Sequence, residues 1–218
     1  MENKISILVH TCDSYKFLWK GFVHYWKQYW VDKSIVKYFC NEEKDVNFDG
    51  FLNIKTGKGE WSDRLEIALN LIQTEYVLYV QEDMWLKKSL PKNLLRKLLN
   101  IMEERDILCI RIFPKNKLCS YEFETPPLRK MSRNSLYLLN HQISIWNREF
   151  FLTCLEKHET PWVNEKEGTK RLRDRPEGDK IYQYCVDWYE SVSKKGEFTK
   201  IGVKLLNDIY YDTLQQSV

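Results

Sequence analysis

Glu75-Tyr76-Val77-Leu78-Tyr79-Val80-Gln81-Glu82-Asp83-Met84-Trp85-Leu86 is the stretch that decides the fold. Tyr76 through Val80 are β-branched, aromatic or Leu, the composition of a strand buried on both faces. The run stops at two adjacent carboxylates, which repel each other unless a cation or hydrogen-bond donors face them. In open α/β sheets, ligands bind beyond the carboxyl ends of the strands. Glu82 and Asp83 therefore stand where a divalent metal or a sugar hydroxyl would be held, although the same pair can also simply cap the following turn.

Upstream, residues 4–10 form a strand that ends at Thr11-Cys12-Asp13-Ser14. Asp13 or Ser14 is placed to cap a helix carrying Tyr15, Leu18, Phe22, Tyr25, Trp26 and Tyr29 on one face. Residues 34–40 and 51–55 read as the second and third strands. Gly57-Lys58-Gly59 breaks the chain before a helix with Ser62 as N-cap and a stripe of Leu65, Ala68, Leu69 and Ile72. Downstream, Ser89-Leu90-Pro91 opens a helix that buries Leu94, Leu95, Leu98, Leu99 and Met102, and residues 106–113 return to strand. This alternation implies an α/β fold with a mainly parallel central sheet flanked by helices.

The second half is less regular. Residues 115–133 read as a long surface loop over the site and 136–146 as a strand. Asn147 caps a short helix with Phe150, Phe151 and Leu155. Residues 156–179 form a charged loop, and 181–198 an aromatic hairpin turning at Lys194-Lys195-Gly196. No repeat, low-complexity segment or linker divides residues 1–218, so one domain is expected.

A chain of 218 residues is long enough for one α/β domain with a proper core. Aromatics make up 14% of it, enough for a ring-lined concave site, though rings also fill ordinary cores. A net charge of +3, with no basic block interleaved with stacking rings, argues against nucleic acid as a partner. Cys12, Cys40, Cys109, Cys119, Cys154 and Cys185 stand singly, mostly in apolar contexts, as reduced thiols do. Met1-Glu2-Asn3-Lys4 leads into a strand without a signal-peptide core, and no apolar run reaches membrane-spanning length. A cytoplasmic protein with at most peripheral membrane contact is expected.

Several groups carry candidate chemistry. Amides around Thr11, Cys12, Asp13 and Tyr15 can bind an anion or the edge of a base, and Asp13 can accept from a uracil or ribose; the dull alternative is a helix cap. Trp61 can cover a ring, and Arg64 can neutralise a phosphate or pair with Asp63, Glu60 or Glu82. His141 is either a metal ligand or a satisfied structural histidine. In Pro161-Trp162-Val163-Asn164-Glu165, Trp162 offers a stacking platform for a sugar. Glu165 offers a general base whose pKa partial burial would raise; a loop anchored by one buried Trp is the alternative. Lys170, Arg171 and Arg173 can clamp a diphosphate or lie on a solvated face.

Taken in order, Thr11-Cys12-Asp13-Ser14-Tyr15, Trp61-Ser62-Asp63-Arg64-Leu65, Thr74 through Asp83, Gln142-Ile143-Ser144-Ile145-Trp146 and Pro161-Trp162…Glu165…Gly168-Thr169 resemble the small bacterial and viral glycosyltransferases of the GT-A fold. The resemblance extends over most of the chain and lies in the succession of blocks, none of them specific alone. It implies a GT-A, Rossmann-like domain with residues 1–113 as the nucleotide-sugar-binding half and 114–218 as the acceptor side. It further implies a nucleotide-sugar donor, with a UDP-sugar as first choice, and a glycan or glycolipid hydroxyl acceptor of polysaccharide or lipopolysaccharide synthesis. Thr11, Cys12, Asp13, Tyr15, Trp61, Ser62, Arg64, Gln81, Glu82, Lys170 and Arg171 would bind the donor, and Trp162 the acceptor. Asp83 and His141 would hold Mn²⁺ or Mg²⁺, and Glu165 would be the base of an inverting transfer. The family's metal motif is Asp-x-Asp, whereas this chain has Gln81-Glu82-Asp83. A sugar-nucleotide nucleotidyltransferase is the rival on the same sheet, but it wants a Gly-rich basic loop after the first strand, and Thr11 to Tyr15 contain no Gly. A non-catalytic sugar- or nucleotide-binding module is the rival from another class.

Overall fold

A computed structural model describes residues 4–115 and 117–215. Met1, Glu2 and Asn3 of the leading segment, and Asn116 of the 115–133 segment, lie outside the described residues. The first half comprises β1 (Ile5–His10), α1 (Lys16–Tyr29), β2 (Lys37–Asn41), β3 (Leu52–Lys55), α2 (Trp61–Leu71), β4 (Tyr76–Gln81), β5 (Met84–Leu86), α3 (Leu94–Glu104) and β6 (Cys109–Ile112). There follow β7 (Tyr121–Thr125), β8 (Leu128–Met131), β9 (Ser144–Asn147), α4 (Arg148–Thr153), α5 (Pro161–Val163), α6 (Thr169–Arg173), β10 (Ile181–Tyr184), β11 (Tyr189–Ser191), β12 (Ser193–Lys194), β13 (Glu197–Phe198) and α7 (Lys200–Gln215).

Among the described residues, strands from both halves join one sheet in the order β3-β2-β1-β4-β9-β6-β10-β8-β7. β3, β2, β1 and β4 are parallel neighbours, as are β6 and β10. β9 is inserted antiparallel between β4 and β6, and β8 runs antiparallel between β10 and β7. All strands of this sheet except β9 and β8 therefore point one way and present their carboxyl ends at a common edge. Side chains alternate across a strand. Ile7 and Val9 of β1 and Leu78 and Val80 of β4 pack under α1 and α3, while Leu8, Val77 and Tyr79 pack under α2 and α4. With both faces covered, β1 and β4 are apolar almost throughout, each large buried aliphatic contributing roughly 1.5–3 kcal/mol.

The turn that carries Glu82 and Asp83 is pinned from α1. Trp85 donates from Nε1 to the Glu82 carbonyl at 3.1 Å and stacks on Tyr25. Its ring covers Gly21 so closely that a Cβ there would stand 2.0 Å from a ring carbon. Gly21→Ala is expected to cost roughly 1–3 kcal/mol through overpacking, seen as a drop of several degrees in a thermal melt. An unchanged melting temperature would mean that this contact does not hold the turn.

The structure corrects several local expectations. Neither Asp13 nor Ser14 caps α1, which is entered through a 3-10 turn, Asp13–Tyr15, with no side-chain cap. Asp13 is taken by the segment after β2: it accepts from Asn41 Nδ2 at 2.8 Å and from the amides of Glu43 and Lys44, both at 3.1 Å. Ser62 does not cap α2, which starts after Glu60; its Oγ accepts from the Glu159 amide at 2.9 Å and so ties α2 to the second half. Residues 136–143 are not strand. The amides of Leu139 and His141 donate to Thr169 Oγ1 and Glu165 Oε1 rather than to a neighbouring strand, and the apolar residues there (Leu138, Leu139, Ile143) are explained by burial alone. The 115–133 segment is not a free loop but contains the hairpin β7–β8, which ends the sheet. Residues 156–179 contain α5, a π turn (Asn164–Gly168) and α6. Of 181–198, only β12–β13 form a hairpin between themselves, turning at Lys195-Gly196; β10 joins the main sheet and β11 pairs with β5. Leu155 lies beyond α4, whose cap is Asn147, accepting from the Phe150 amide at 3.0 Å. Among the described residues no helix is long and apolar enough to cross a membrane, and all six cysteines are free.

Candidate functional site

At the common edge, β1 ends at His10, followed by Thr11, and β4 ends at Gln81, followed by Glu82 and Asp83. β9, running the other way, begins there after His141 and Gln142. Glu82 is buried and Asp83 half-buried. Asp83 Oδ2 accepts from Ser191 Oγ at 3.0 Å, whereas Oδ1 is shielded from solvent with no hydrogen-bond partner among the described residues. Burial pushes both carboxyls above the ordinary carboxylate range, and the charge of Asp83 raises Glu82 further. Arg64 opposes that rise from the first turns of α2. It is buried, donates from Nη1 to the Thr11 carbonyl at 2.8 Å, and leaves Nε without a partner. Burial raises the pKa of Tyr15, and the charges of Glu82 and Asp83 add to the rise.

Beside them lies a cluster of rings. Trp61 Nε1 and Gln81 Nε2 both donate to the Tyr79 hydroxyl, at 3.2 and 3.3 Å. His141 packs against Trp61 with ring centroids 4.2 Å apart, and its Nε2 meets Asn164 Oδ1 at 2.9 Å. Burial lowers its pKa to about 3, so the imidazole is neutral at pH 7. Glu165 comes to this cluster from the second half: its Oε1 accepts from the His141 amide at 2.8 Å. Burial raises its pKa above the usual glutamate value, against the His141 amide and the charge of Arg111. The charges of Glu82 and Glu165 both bear on the Tyr79 hydroxyl. Glu165 from the second half thus reaches a cluster whose Tyr79 hydroxyl also lies in the field of Glu82.

Three site residues were not singled out from the sequence. In sequence Tyr79 reads as strand interior. His10 is buried with neither ring nitrogen hydrogen-bonded among the described residues, and burial together with Arg64 and His141 holds its pKa well below the usual value. Arg111 is fully buried in β6, donating from Nη1 to the carbonyls of Tyr137 (2.5 Å) and Leu138 (3.4 Å) and from Nη2 to Cys119 Sγ (3.2 Å). An arginine inside Cys109-Ile110-Arg111-Ile112 was itself the available signal.

Other candidates lie elsewhere or are engaged. Cys12 Sγ contacts Ser14 Oγ at 3.0 Å. Lys170 pairs with Glu167, and Arg171 forks onto Glu159 at 2.8 and 2.9 Å. Arg173 donates to the carbonyls of Arg133 and Ser135. Trp162 is 70% exposed, three residues before Glu165.

No three His, Cys, Asp or Glu among the described residues gather into a metal-binding group. The donor set still suits a hard cation that takes one or two carboxylates and draws its remaining ligands from phosphate oxygens and water. Glu82 and the unpartnered Oδ1 of Asp83 are two such donors, and they lack a full counter-charge. Without metal the pair is expected to cost stability at neutral pH. A carboxyl whose folded pKa is raised binds more protons folded than unfolded, so stability is greatest below the unfolded value near pH 4 and falls as pH rises through the raised folded values. In EDTA, Glu82→Gln is expected to flatten this decline and to raise the melting temperature at pH 8 by a few degrees. A variant that melts lower than wild type at pH 8 would show that the pair is already neutralised within the protein.

No protein-family model matches the sequence, and neither does any curated protein. Solved structures do. The S. aureus TarS structure in complex with UDP-GlcNAc matches with a TM-score of 0.63 at 15% identity, over 89% of this chain and 60% of that one; a longer TarS structure is covered over 36% of its length. The chain thus spans between about a third and three-fifths of the TarS structures it matches. A CMP:2-keto-3-deoxy-manno-octonic acid synthetase complexed with CTP matches with a TM-score of 0.57 at 12% identity, over 96% of this chain and 99% of that one. UDP-glucose pyrophosphorylase complexed with UDP-glucose gives a TM-score of 0.59 at 10% identity, over 96% and 99%. At these identities the likeness is one of fold, the α/β architecture common to GT-A glycosyltransferases and nucleotidyltransferases.

Proposed function

We propose that the protein is a glycosyltransferase that moves a sugar from a nucleotide-sugar donor to a hydroxyl acceptor, with inversion. The observation that carries the reading is the pairing of Glu82-Asp83 at the end of β4 with Glu165, brought from the second half to the same ring cluster. A leaving-group site and a separate proton acceptor are the two parts such a transfer needs. Glu165 is held through Oε1 by the His141 amide, which leaves Oε2 to take the proton of the attacking hydroxyl. As the acceptor oxygen bonds to the anomeric carbon, the bond from that carbon to the donor diphosphate breaks and the nucleoside diphosphate departs. Asp83 and Glu82 would hold Mn²⁺ or Mg²⁺, which when bound supplies electrostatic stabilisation of the diphosphate leaving group. Arg64, fixed on the Thr11 carbonyl, adds a permanent positive charge at the ends of β1 and β4. Trp162 offers its exposed ring to the acceptor.

The rival reading is a nucleotidyltransferase that makes activated sugars. It is favoured by the near-complete coverage of the CTP- and UDP-glucose-bound neighbours, 99% against 60% for TarS. Against it stands the turn after β1, where Thr11 to Tyr15 contain no glycine to bring backbone amides onto a triphosphate. For the donor site itself, UDP is expected to raise the melting temperature, with dTDP and GDP behind it. A ligand at about a hundred times its dissociation constant adds roughly 2.7 kcal/mol. The absence of a shift with every nucleoside diphosphate, with and without Mn²⁺, would remove the donor site.

A further inference from the structure

At the opposite edge of the sheet, α1 ends at Tyr29, β2 begins at Lys37, and Phe51 directly precedes β3. Between these elements is a cavity of about 310 Å³, within the size range of small-molecule sites. The 14 residues of α1, at about 1.5 Å each, place it roughly 20 Å from the strand ends that carry Glu82 and Asp83. Trp30 and Phe51 line it, together with Lys27, Lys33, Lys37 and Asp49.

Three cations thus face one carboxylate, and that carboxylate neutralises little. Asp49 is almost fully exposed and stands 3.4 Å from Lys27, a pair of the kind that contributes little in water. Lys33 is exposed and has no ion pair among the described residues. Lys37 is the unusual member. It is half-buried, its Nζ donates to the Ile35 carbonyl at a long 3.4 Å, and it stands 5.9 Å from the centroid of Phe51. No carboxylate of the described residues lies within ion-pair distance of it. Burial lowers its pKa, against the pull of Asp32 and Asp49. A partly desolvated ammonium beside two further lysines calls for an anion with several acceptor oxygens. Rings on the same walls call for a flat, partly apolar body such as the C–H face of a sugar.

We propose that this cavity binds a phosphorylated monosaccharide, at a site separate from the reacting edge. Calorimetric titration of the whole protein with glucose 6-phosphate, inorganic phosphate and glucose, each with and without UDP, tests it. Glucose 6-phosphate is expected to bind with a dissociation constant of about 1 mM or tighter, inorganic phosphate at least about tenfold more weakly, and glucose not measurably. Lys33→Gln, at an exposed position, and Lys37→Gln should each weaken glucose 6-phosphate about tenfold. Asp49→Asn, which removes the one carboxylate of the lining, should not weaken it, and UDP should not displace it. Inorganic phosphate binding as tightly as the sugar phosphate, wild-type affinity in both lysine variants, competition by UDP, or no heat with glucose 6-phosphate would each overturn the proposal.

Discussion

Glu165→Gln is expected to leave nucleotide binding near the wild-type value and to cut transfer by about two to four orders of magnitude. The substitution keeps size and hydrogen-bonding capacity, so Oε1 can still accept from the His141 amide. What it removes is the proton acceptor, and a group in that role acts in the transition state without being needed to hold the donor. Its half-buried position supports the role, since burial already lifts this carboxyl toward the pH at which a base works. The other acids nearby are worse placed. Glu167 is paired with Lys170, and Asp179 with Arg133; in both cases the hydrogen-bonded cation holds the carboxyl below its usual range. Asp174 follows the end of α6. Trp162→Ala should instead raise the acceptor KM, because it removes a stacking surface and no proton acceptor. If Glu165→Gln keeps turnover within a few-fold while Asp174, Glu167 or Asp179 substitution abolishes it, the base lies elsewhere in this segment.

Asp83→Asn is expected to have an effect of the same order by a different route. A carboxylate that would hold the cation facing the departing diphosphate is lost, and removing one group that stabilises developing charge typically costs about 10²–10³-fold in rate. Donor binding should weaken in Mn²⁺ and hardly change in EDTA, because the asparagine keeps the hydrogen bond to Ser191 but not the charge that holds a cation. Equal donor affinity in wild type and variant, with and without metal, would mean that these carboxylates bond sugar hydroxyls directly.

What could be read in advance depended on how local the signal was. β1 and β4 are continuous apolar runs because helices cover both faces of the sheet, and the stripes of α2 and α3 follow from the same burial. The carboxylates were visible because acids at the end of such a run contradict its composition. The antiparallel insertion of β9 left no local trace, since Ser144, Ile145 and Trp146 are buried as in a parallel strand. Residues 136–143 misled for a related reason, their hydrophobicity reporting burial and not pairing. The roles of Asp13 and Ser62 were hidden because their partners, at Asn41 and Glu159, are distant in sequence and met only on folding. α5 is signalled only by Thr160-Pro161, a cap followed by proline at the first helical position, set among charges that read as a loop. The basic run at Lys170 to Arg173 was legible as charge, but its partners Glu167 and Glu159 were not.

The central claim is the bond that breaks. Incubating the protein with a panel of nucleotide sugars and Mn²⁺, with and without pyrophosphate, and resolving the released nucleotides by anion exchange separates the two chemistries. The account predicts slow release of the nucleoside diphosphate from one UDP-sugar, independent of pyrophosphate and suppressed in Asp83→Asn. Release of a nucleoside triphosphate that requires pyrophosphate would contradict it and identify nucleotidyl transfer instead.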